Sequence, residues 1–280
     1  MGLLGAAAGG GDPDVSGVAM GPALLYSRVL AGRGVPHAFT TRAGGISAGI
    51  FASLNFGNPG DLKPEERDPL SNIHANFAGV LNAIGCGDRE LVQVHQVHGG
   101  VVHVVCPGAA AHPGPSDTRA DALVTCDGAR ALAVRIADCA PVLIASTDGR
   151  TVAAVHAGWR GVVAGVVRNA LAALRAEDGV QYFVAAVGPC LSVMHFEIGP
   201  EVAAEFEREF GPTTPHLRPG PRGRPLLDLK GALREQLEQA GVREVDVMPH
   251  CTYADAERFF SHRRDAGRTG RMAAVIGVKG

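Results

Sequence analysis

The chain has 280 residues, of which 46% are apolar and 19% charged, and its formal net charge is −2. This composition is typical of a folded protein with a sizeable core and excludes a disordered chain. The near-neutral charge predicts no nucleic-acid partner, and no apolar run approaches the ~18 residues of a membrane span. The six cysteines form no CxxC pair, so we expect reduced thiols in a cytoplasmic protein. The oligomeric state stays open.

Residues 1–20 are rich in Gly and Ala and lack the basic start and long apolar core of a signal peptide. We predict a flexible tail over residues 1–20 and a single catalytic domain over residues 21–280. Strands are predicted at 23–28, 37–41, 91–105, 122–125, 182–187, 242–248 and 272–278, in addition to two that flank residues 147–150. Helices are predicted at 68–85, 162–175, 201–210 and 228–240, with a Gly-rich loop at 42–49 and a Pro- and Gly-rich surface loop at 211–225.

The helix at 68–85 is predicted because its apolar residues are spaced three and four apart and Gly85 follows them. Asp228 is a candidate N-cap for the helix that runs to Ala240. Helices alternate with strands, and several strands are antiparallel. The sequence therefore predicts a single α/β domain with a mixed sheet, and it contains no GxGxxG or Walker loop that would indicate a nucleotide cofactor.

Two apolar segments are joined by Thr147-Asp-Gly-Arg150, and Asp-Gly is a strong hairpin signal. If Asp148 and Gly149 form a two-residue turn, His156 pairs with Pro141. Cys139 then lies diagonally from His156 on the same face, roughly 7–8 Å away at the backbone. A thiolate and an imidazole at this distance can share a metal ion or act as nucleophile and base.

Plainer interpretations of these two residues remain open. A free cysteine usually behaves as a small buried hydrophobe, and a single histidine on a strand is often only hydrogen-bonded. Pro141 can also introduce a bulge that shifts the pairing by one residue and places the two side chains on opposite faces.

His98 is the candidate third ligand, because His95, His98 and His103 lie on one predicted strand. In an extended strand His95 and His98 face opposite sides, so at most one of them points at a site on one face. Two histidines and a cysteine with an open fourth position are typical of a catalytic zinc site. Exposed histidines on a strand face are the alternative.

Several arginines are candidate anion ligands. Arg42 opens a Gly-rich loop, Arg160 precedes a predicted helix, and Arg264 lies in a basic segment near the C-terminus. Arg160 can equally be a solvated surface residue. Asp138, beside Cys139, is either a carboxylate that orients a ligand histidine or a turn residue.

Eight sequence blocks together resemble the YfiH-like family, long labelled polyphenol oxidoreductase laccases. They follow the family's order and span about residues 36–278. The blocks are Thr40-Thr-Arg-Ala-Gly-Gly-Ile-Ser47, Ser53-Leu-Asn-Phe-Gly57, Gln96-Val-His-Gly99, Ala120-Asp-Ala-Leu-Val-Thr125, Ala137-Asp-Cys-Ala-Pro-Val142, Val155-His-Ala-Gly-Trp-Arg-Gly161, Gly188-Pro-Cys190, and Phe259-Phe-Ser-His-Arg-Arg-Asp265 with Thr269-Gly-Arg271.

The resemblance implies one zinc ion held by His98, Cys139 and His156, with copper less favoured. It also implies phosphorolysis of adenosine, inosine and methylthioadenosine, together with adenosine deamination. Purine nucleoside and phosphate are then the expected partners. We assign catalytic roles to the three ligands and Asp138, and substrate or phosphate binding to Arg42, Asn55, Arg160 and Arg264.

Three alternatives stay open. One is a cysteine- or zinc-dependent amidohydrolase that edits peptidoglycan precursors, another is a copper polyphenol oxidase, and the last is a non-catalytic metal-binding module. The chain also departs from the family pattern in its first helix. Asn76-Phe77 stands where family members often have Asn-Arg, so any role of that arginine is in doubt here.

Overall fold

The computed structural model describes residues 21–108, 115–179 and 182–280. They form a single α/β domain of four layers, in which two six-stranded mixed sheets pack face to face and helices cover both outer faces. The predicted fold class is confirmed. The predicted tail over residues 1–20 lies outside the described residues. None of the helices in the described ranges combines the length and apolarity that a bilayer crossing requires.

The first sheet has the strand order β1-β2-β14-β7-β3-β5. Strands β1, β2, β14 and β7 each pair antiparallel with the next, and β3 continues the sheet in parallel with β7 and β5. Its strands are β1 (Leu24–Leu25), β2 (His37–Thr40), β3 (Glu90–His95), β5 (Pro115–Arg119), β7 (Arg130–Ile136) and β14 (Met272–Gly277).

The second sheet has the order β13-β10-β8-β9-β6-β4. Strands β8, β9 and β10 are buried along their whole length, because one face meets the first sheet and the other meets helices. Its strands are β4 (Val102–Val105), β6 (Ala122–Thr125), β8 (Ala140–Ser146), β9 (Val152–Ala157), β10 (Phe183–Val187) and β13 (Glu244–Val247). Two short strands, β11 (Leu217–Arg218) and β12 (Leu226–Leu227), pair separately.

Alternation along the strands divides the core into layers. In β7, Leu132 and Val134 face the second sheet, whereas Ala131 and Ala133 face the helix α2 (Leu70–Ala83). The other helices are α1 (Arg28–Gly32), α3 (Trp159–Val163), α4 (Val166–Asp178), α5 (Pro200–Phe210) and α6 (Leu229–Gln239).

The hairpin register predicted from the sequence is confirmed. Pro141 pairs with His156 along the antiparallel β8–β9 ladder. The turn itself differs from the prediction, because the backbone N–H of Gly149 donates to the carbonyl oxygen of Ser146 and Gly149 takes a positive φ of 79°. The β-turn is therefore centred one residue earlier, on Thr147 and Asp148, while the pairing of the strands stays the same.

Four predicted elements are corrected. The strand predicted at 23–28 ends early, since Ser27 caps α1. The strand predicted at 91–105 is broken by a loop over residues 96–101. The helix predicted at 162–175 is two helices, divided at Gly165 with φ 71°. The segment at 211–225 contains β11 and buries Thr214 and His216, so it packs against the domain instead of forming only a surface loop. The Asp228 cap is confirmed, since its side chain accepts from the N–H of Gly231.

Candidate active site and metal centre

A cavity of about 430 Å³ lies where the two sheets meet at one end of the domain. Strands β7 and β9 end there, and strands β8 and β14 begin there. The connection from β7 to β8 crosses from the first sheet to the second and carries Asp138 and Cys139 into the cavity wall. The cavity is also lined by Gln96, His98, Arg135, His156, Gly158, Leu191, Phe196, His262, Arg263 and Arg271, among others.

His98, Cys139 and His156 converge in this cavity, as the sequence predicts. One ligand atom from each lies within 4.8 Å of the others. The rings of His98 and His156 meet edge to face with their centroids 4.8 Å apart. A thiolate with two imidazoles is a ligand set that can bind a transition-metal ion.

The loop over residues 96–101 gives His98 its direction. His98 has a positive φ of 61°, so it is not part of an extended strand, and the alternation of side chains along a strand does not set its direction. Asp121 holds this loop through its carboxylate, which accepts the backbone N–H groups of Val97, His98 and Gly99 at 3.3, 2.9 and 2.6 Å. His95, the alternative ligand, is exposed at the end of β3.

Asp121 also fixes the second histidine. Its Oδ1 lies 2.8 Å from Nδ1 of His156, which leaves Nε2 of that ring for the cavity. A carboxylate behind a ligand histidine sets its tautomer and raises its basicity. Burial raises the pKa of Asp121, but hydrogen bonds from His156 and Gly99 outweigh burial and lower it.

The electrostatics favour a charged Cys139–His156 pair in the metal-free protein. Burial raises the pKa of the Cys139 thiol, but the adjacent His156 and His98 outweigh it and lower the pKa to about 6. Burial lowers the pKa of His156, while the Cys139 and Asp121 charges raise it to about 9. The sulfur is therefore an anion at neutral pH, which is the form that binds a metal ion.

Gly158 provides the space beside the sulfur. A Cβ atom at this position would lie 3.0 Å from Cys139 Sγ and 3.2 Å from Cδ2 of His98. Its φ of −74° is one that any residue adopts, so the requirement for glycine is steric. The glycine at this position is thus explained by the room that the ligand cluster needs.

Asp138 does not contact a ligand histidine as the sequence suggested. The sequence offered it as a carboxylate that orients a ligand histidine, and Asp121 occupies that position instead. The Asp138 carboxylate accepts from Thr252 Oγ1 at 2.7 Å and from the backbone N–H of Arg263 at 2.6 Å. Asp138 therefore anchors the C-terminal segment to the cavity wall beside Cys139.

Two arginines in the cavity form a pair of like charges. Burial lowers the pKa of Arg135, and the neighbouring charge of Arg271 lowers it further. Burial also lowers the pKa of Arg271, which the charges of Asp138 and Cys139 partly oppose. Two guanidinium groups held together in a cavity favour a bound anion, because an anion relieves their repulsion and matches their hydrogen-bond donors.

The three arginines that the sequence predicted as anion ligands do not line the cavity. Arg42 donates to the carbonyl oxygens of Ala52 and Ala256, and Arg264 donates to backbone carbonyls and to Asp265. Arg160 is exposed, with its guanidinium 4.3 Å from the Trp159 ring. Among the described residues, the arginines that line the cavity are Arg135, Arg263 and Arg271.

Asn55 is buried behind the cavity. Its Oδ1 accepts the backbone N–H of Arg271 at 2.8 Å, and its Nδ2 donates to Asp68 at 2.8 Å. Asn55 thus positions the start of β14, and with it Arg271.

Sequence reasoning missed Asp121, Gln96, Arg135 and Arg271 as functional candidates. Gln96, Asp121 and Arg271 lie inside blocks that carried the family resemblance, so that signal was available for these three. Gln96 pairs with the backbone of Arg135 at 2.8 and 2.9 Å, which ties the His98 loop to β7. No local sequence pattern indicates this contact, because the two residues are 39 positions apart.

The fold and the site define a class of single-domain α/β proteins with a His–Cys–His ligand set in a cavity between two sheets. A family model described as multi-copper polyphenol oxidoreductase laccase matches residues 36–279. The chain belongs to this family, which confirms the resemblance drawn from the sequence.

Several curated relatives are named purine nucleoside phosphorylase. One from Deinococcus radiodurans is 40% identical over 273 residues, which covers 93% of this chain and 94% of the relative. One from Bacteroides thetaiotaomicron is 32% identical over 264 residues and covers 90% and 95%. The names of these relatives support the prediction that this protein is an enzyme.

Solved structures agree with the fold. The Neisseria meningitidis protein NMB0706 is 34% identical, with a TM-score of 0.77, and the match covers 93% of this chain and 100% of that one. YlmD from Geobacillus stearothermophilus is 29% identical, with a TM-score of 0.81, and the match covers 95% and 98%.

Proposed function

We propose that this protein is a zinc-dependent purine nucleoside phosphorylase that cleaves adenosine, inosine and methylthioadenosine to the base and a sugar 1-phosphate, and that also deaminates adenosine. The proposal depends mainly on one observation, the His98–Cys139–His156 cluster in the same cavity as the Arg135–Arg271 pair. The name shared by relatives of up to 40% identity supports the substrate class.

The donor set fits zinc. Cys139 is anionic at neutral pH, and His156 is held by Asp121 so that its second nitrogen faces the ligand cluster. His98, Cys139 and His156 would hold the ion and leave a position open, the arrangement of catalytic zinc sites. When bound, zinc supplies a Lewis acid and lowers the pKa of a bound water to about 7.

The residues of the chain itself account for substrate binding. Arg135 and Arg271 are proposed to bind phosphate, since their paired guanidinium groups match its charge and geometry. Leu191 and Phe196 give the same cavity an apolar wall for the purine ring. Asn55 positions Arg271 by accepting its backbone N–H, and Asp138 positions Arg263 in the same way.

The test combines metal analysis with phosphate-dependent turnover of adenosine and inosine. We expect about one zinc ion per chain, with both zinc and turnover lost in Cys139→Ala. Arg271→Gln should keep its zinc and raise the KM for phosphate by roughly 10–100-fold, the loss of a charged hydrogen bond. Arg234→Gln is the matched control, because Arg234 pairs only with Glu238 among the salt bridges of the described surface. Turnover that does not depend on phosphate would contradict phosphorolysis.

The charged Cys139–His156 pair favours a second candidate, an amidohydrolase that acts on peptidoglycan precursors. In cysteine hydrolases a thiolate acts as the nucleophile, and the imidazolium beside it donates its proton to the leaving amine. Amide hydrolysis that persists in metal-free protein would support this candidate over the zinc enzyme. Stoichiometric copper together with oxidation of phenols would instead support the oxidase.

A further inference from the structure

Cys190 and Cys251 lie side by side outside the ligand cluster. Cys190 follows β10 and Cys251 follows β13, and the two residues form an isolated parallel β-bridge. The backbone N–H of Thr252 donates to the carbonyl oxygen of Cys190 at 3.1 Å. Neighbouring strands are ~4.8 Å apart, and paired residues direct their side chains to the same face. This spacing falls within the ~4.4–6.8 Å between Cα atoms that a disulfide spans.

Cys251 is the accessible member of the pair. It is half-buried and lines a groove of about 760 Å³ formed by residues 249–251 and 254–258, on a different part of the surface from the ligand cluster. Cys190, in contrast, is completely buried. A small oxidant can therefore reach Cys251 from solvent but not Cys190.

The surroundings of Cys251 favour its thiolate. Its Sγ accepts the backbone N–H of Ser192 at 3.3 Å and lies 3.6 Å from Nδ1 of His195. Burial raises the pKa of this thiol, but hydrogen bonds from Ser192 and from the backbone of Ala254 and Tyr253 outweigh burial and lower it.

Cys190 has the opposite character. Burial raises its pKa to about 12, with a further rise from the nearby Cys139 and Cys251 charges and opposition from Lys230. Cys190 is therefore a protonated thiol that does not react first. The two cysteines differ in the way that an attacking and a resolving cysteine differ.

We propose that Cys251 and Cys190 are a redox pair, in which a hydroperoxide oxidises Cys251 and Cys190 then closes a disulfide with it. The Cys251 thiolate attacks a peroxide oxygen, so that an S–O bond forms and the O–O bond breaks, giving a sulfenic acid and hydroxide. The Cys190 sulfur then attacks Cys251, so that the S–S bond forms and the S–O bond breaks. The thiol proton of Cys190 leaves with the sulfenic hydroxyl group as water, and the proton that Cys251 lost on ionising converts the hydroxide to a second water. Two thiols are thus oxidised by two electrons, and hydrogen peroxide is reduced to two waters.

The experiment treats the metal-loaded, full-length protein with hydrogen peroxide, blocks the remaining thiols with iodoacetamide, and maps peptides by non-reducing mass spectrometry. We expect a Cys190–Cys251 cross-link that forms while the exposed Cys106 is still mostly alkylated. In Cys190→Ala, Cys251 should instead accumulate as a sulfenic acid that dimedone traps. In Cys251→Ser, Cys190 should stay reduced.

Two results would overturn the proposal. One is oxidation of Cys106 while both Cys190 and Cys251 remain alkylated in the wild-type protein. The other is a cross-link that joins Cys190 to Cys139 in place of Cys251. These readouts use the wild-type chain and require no nucleoside turnover, so the redox pair can fail or hold independently of the proposed activity.

Discussion

Asp121 Oδ1 lies 2.8 Å from His156 Nδ1, and the same carboxylate accepts the backbone N–H of His98 at 2.9 Å. One buried carboxylate thus orients two of the three ligands of the candidate metal centre. Asp121 lies one residue before β6 begins, and it is fully buried. The precision of the ligand cluster therefore depends on a residue that does not itself belong to the cluster.

Asp121→Asn should weaken metal binding. The amide keeps the shape of the carboxylate but loses the charge that supports His156, and such changes typically cost ~10–100-fold in affinity. The measurement is a competition titration with a chromophoric zinc chelator. Asp88→Asn, at an exposed position, is the control and should leave affinity unchanged. Equal affinities in the two variants would show that Asp121 does not support the centre.

Gly158→Ala should impair metal binding without unfolding the domain. The added methyl would lie 3.0 Å from Cys139 Sγ, while the backbone conformation at residue 158 accepts alanine. We expect a lower zinc occupancy after purification, measured by atomic emission, with an unchanged far-UV spectrum. Full zinc occupancy in this variant would mean that the cluster has more room than the geometry indicates.

Gly79→Ala should stabilise the protein. Gly79 lies inside α2, and a Cβ there would meet open space. Alanine restricts the unfolded chain and favours the helix, a gain of about 0.5–1 kcal/mol in the free energy of unfolding. Urea denaturation measures this free energy. A lower midpoint than that of the wild-type protein would show that the added methyl group does not meet open space.

The pH dependence of alkylation tests the charge state of Cys139. With its pKa at about 6, the thiol of the metal-free protein is mostly thiolate at pH 7 and protonated at pH 5. Since only the thiolate reacts, the rate of iodoacetamide labelling should rise through pH 6 and level off above it. Peptide mass spectrometry resolves Cys139 from the other cysteines. A midpoint near ~8.5, the value of a free thiol, would show that His156 and His98 do not stabilise the thiolate.

Added zinc provides the complementary measurement. Metal coordination should protect Cys139 from labelling across the same pH range, because the sulfur is then occupied. Labelling at an unchanged rate with zinc present would indicate that Cys139 is not a ligand.

Local sequence patterns determined much of this protein. The apolar segments on each side of residues 147–150 were enough to pair Pro141 with His156. The prediction that Cys139 lies on the same strand is wrong, because β8 begins at Ala140 and Cys139 reaches the cluster from the connection before it. The spacing of apolar residues determined α2, and Asp228 determined the start of α6. These features depend on interactions between residues close in sequence, where turn and helix geometry restrict the chain to few conformations.

Only the tertiary structure decided which polar groups surround the ligands. Arg135 and Arg271 are brought together by the pairing of β7 with β14, and Asp121 reaches His156 across 35 positions. His98 points at the cluster because a loop interrupts its predicted strand and Asp121 holds that loop. Arg42, Arg160 and Arg264 have the same chemistry as the cavity arginines, and what separates them is whether the side chain lines the cavity. That direction is a property of long-range packing, which composition and local spacing do not encode.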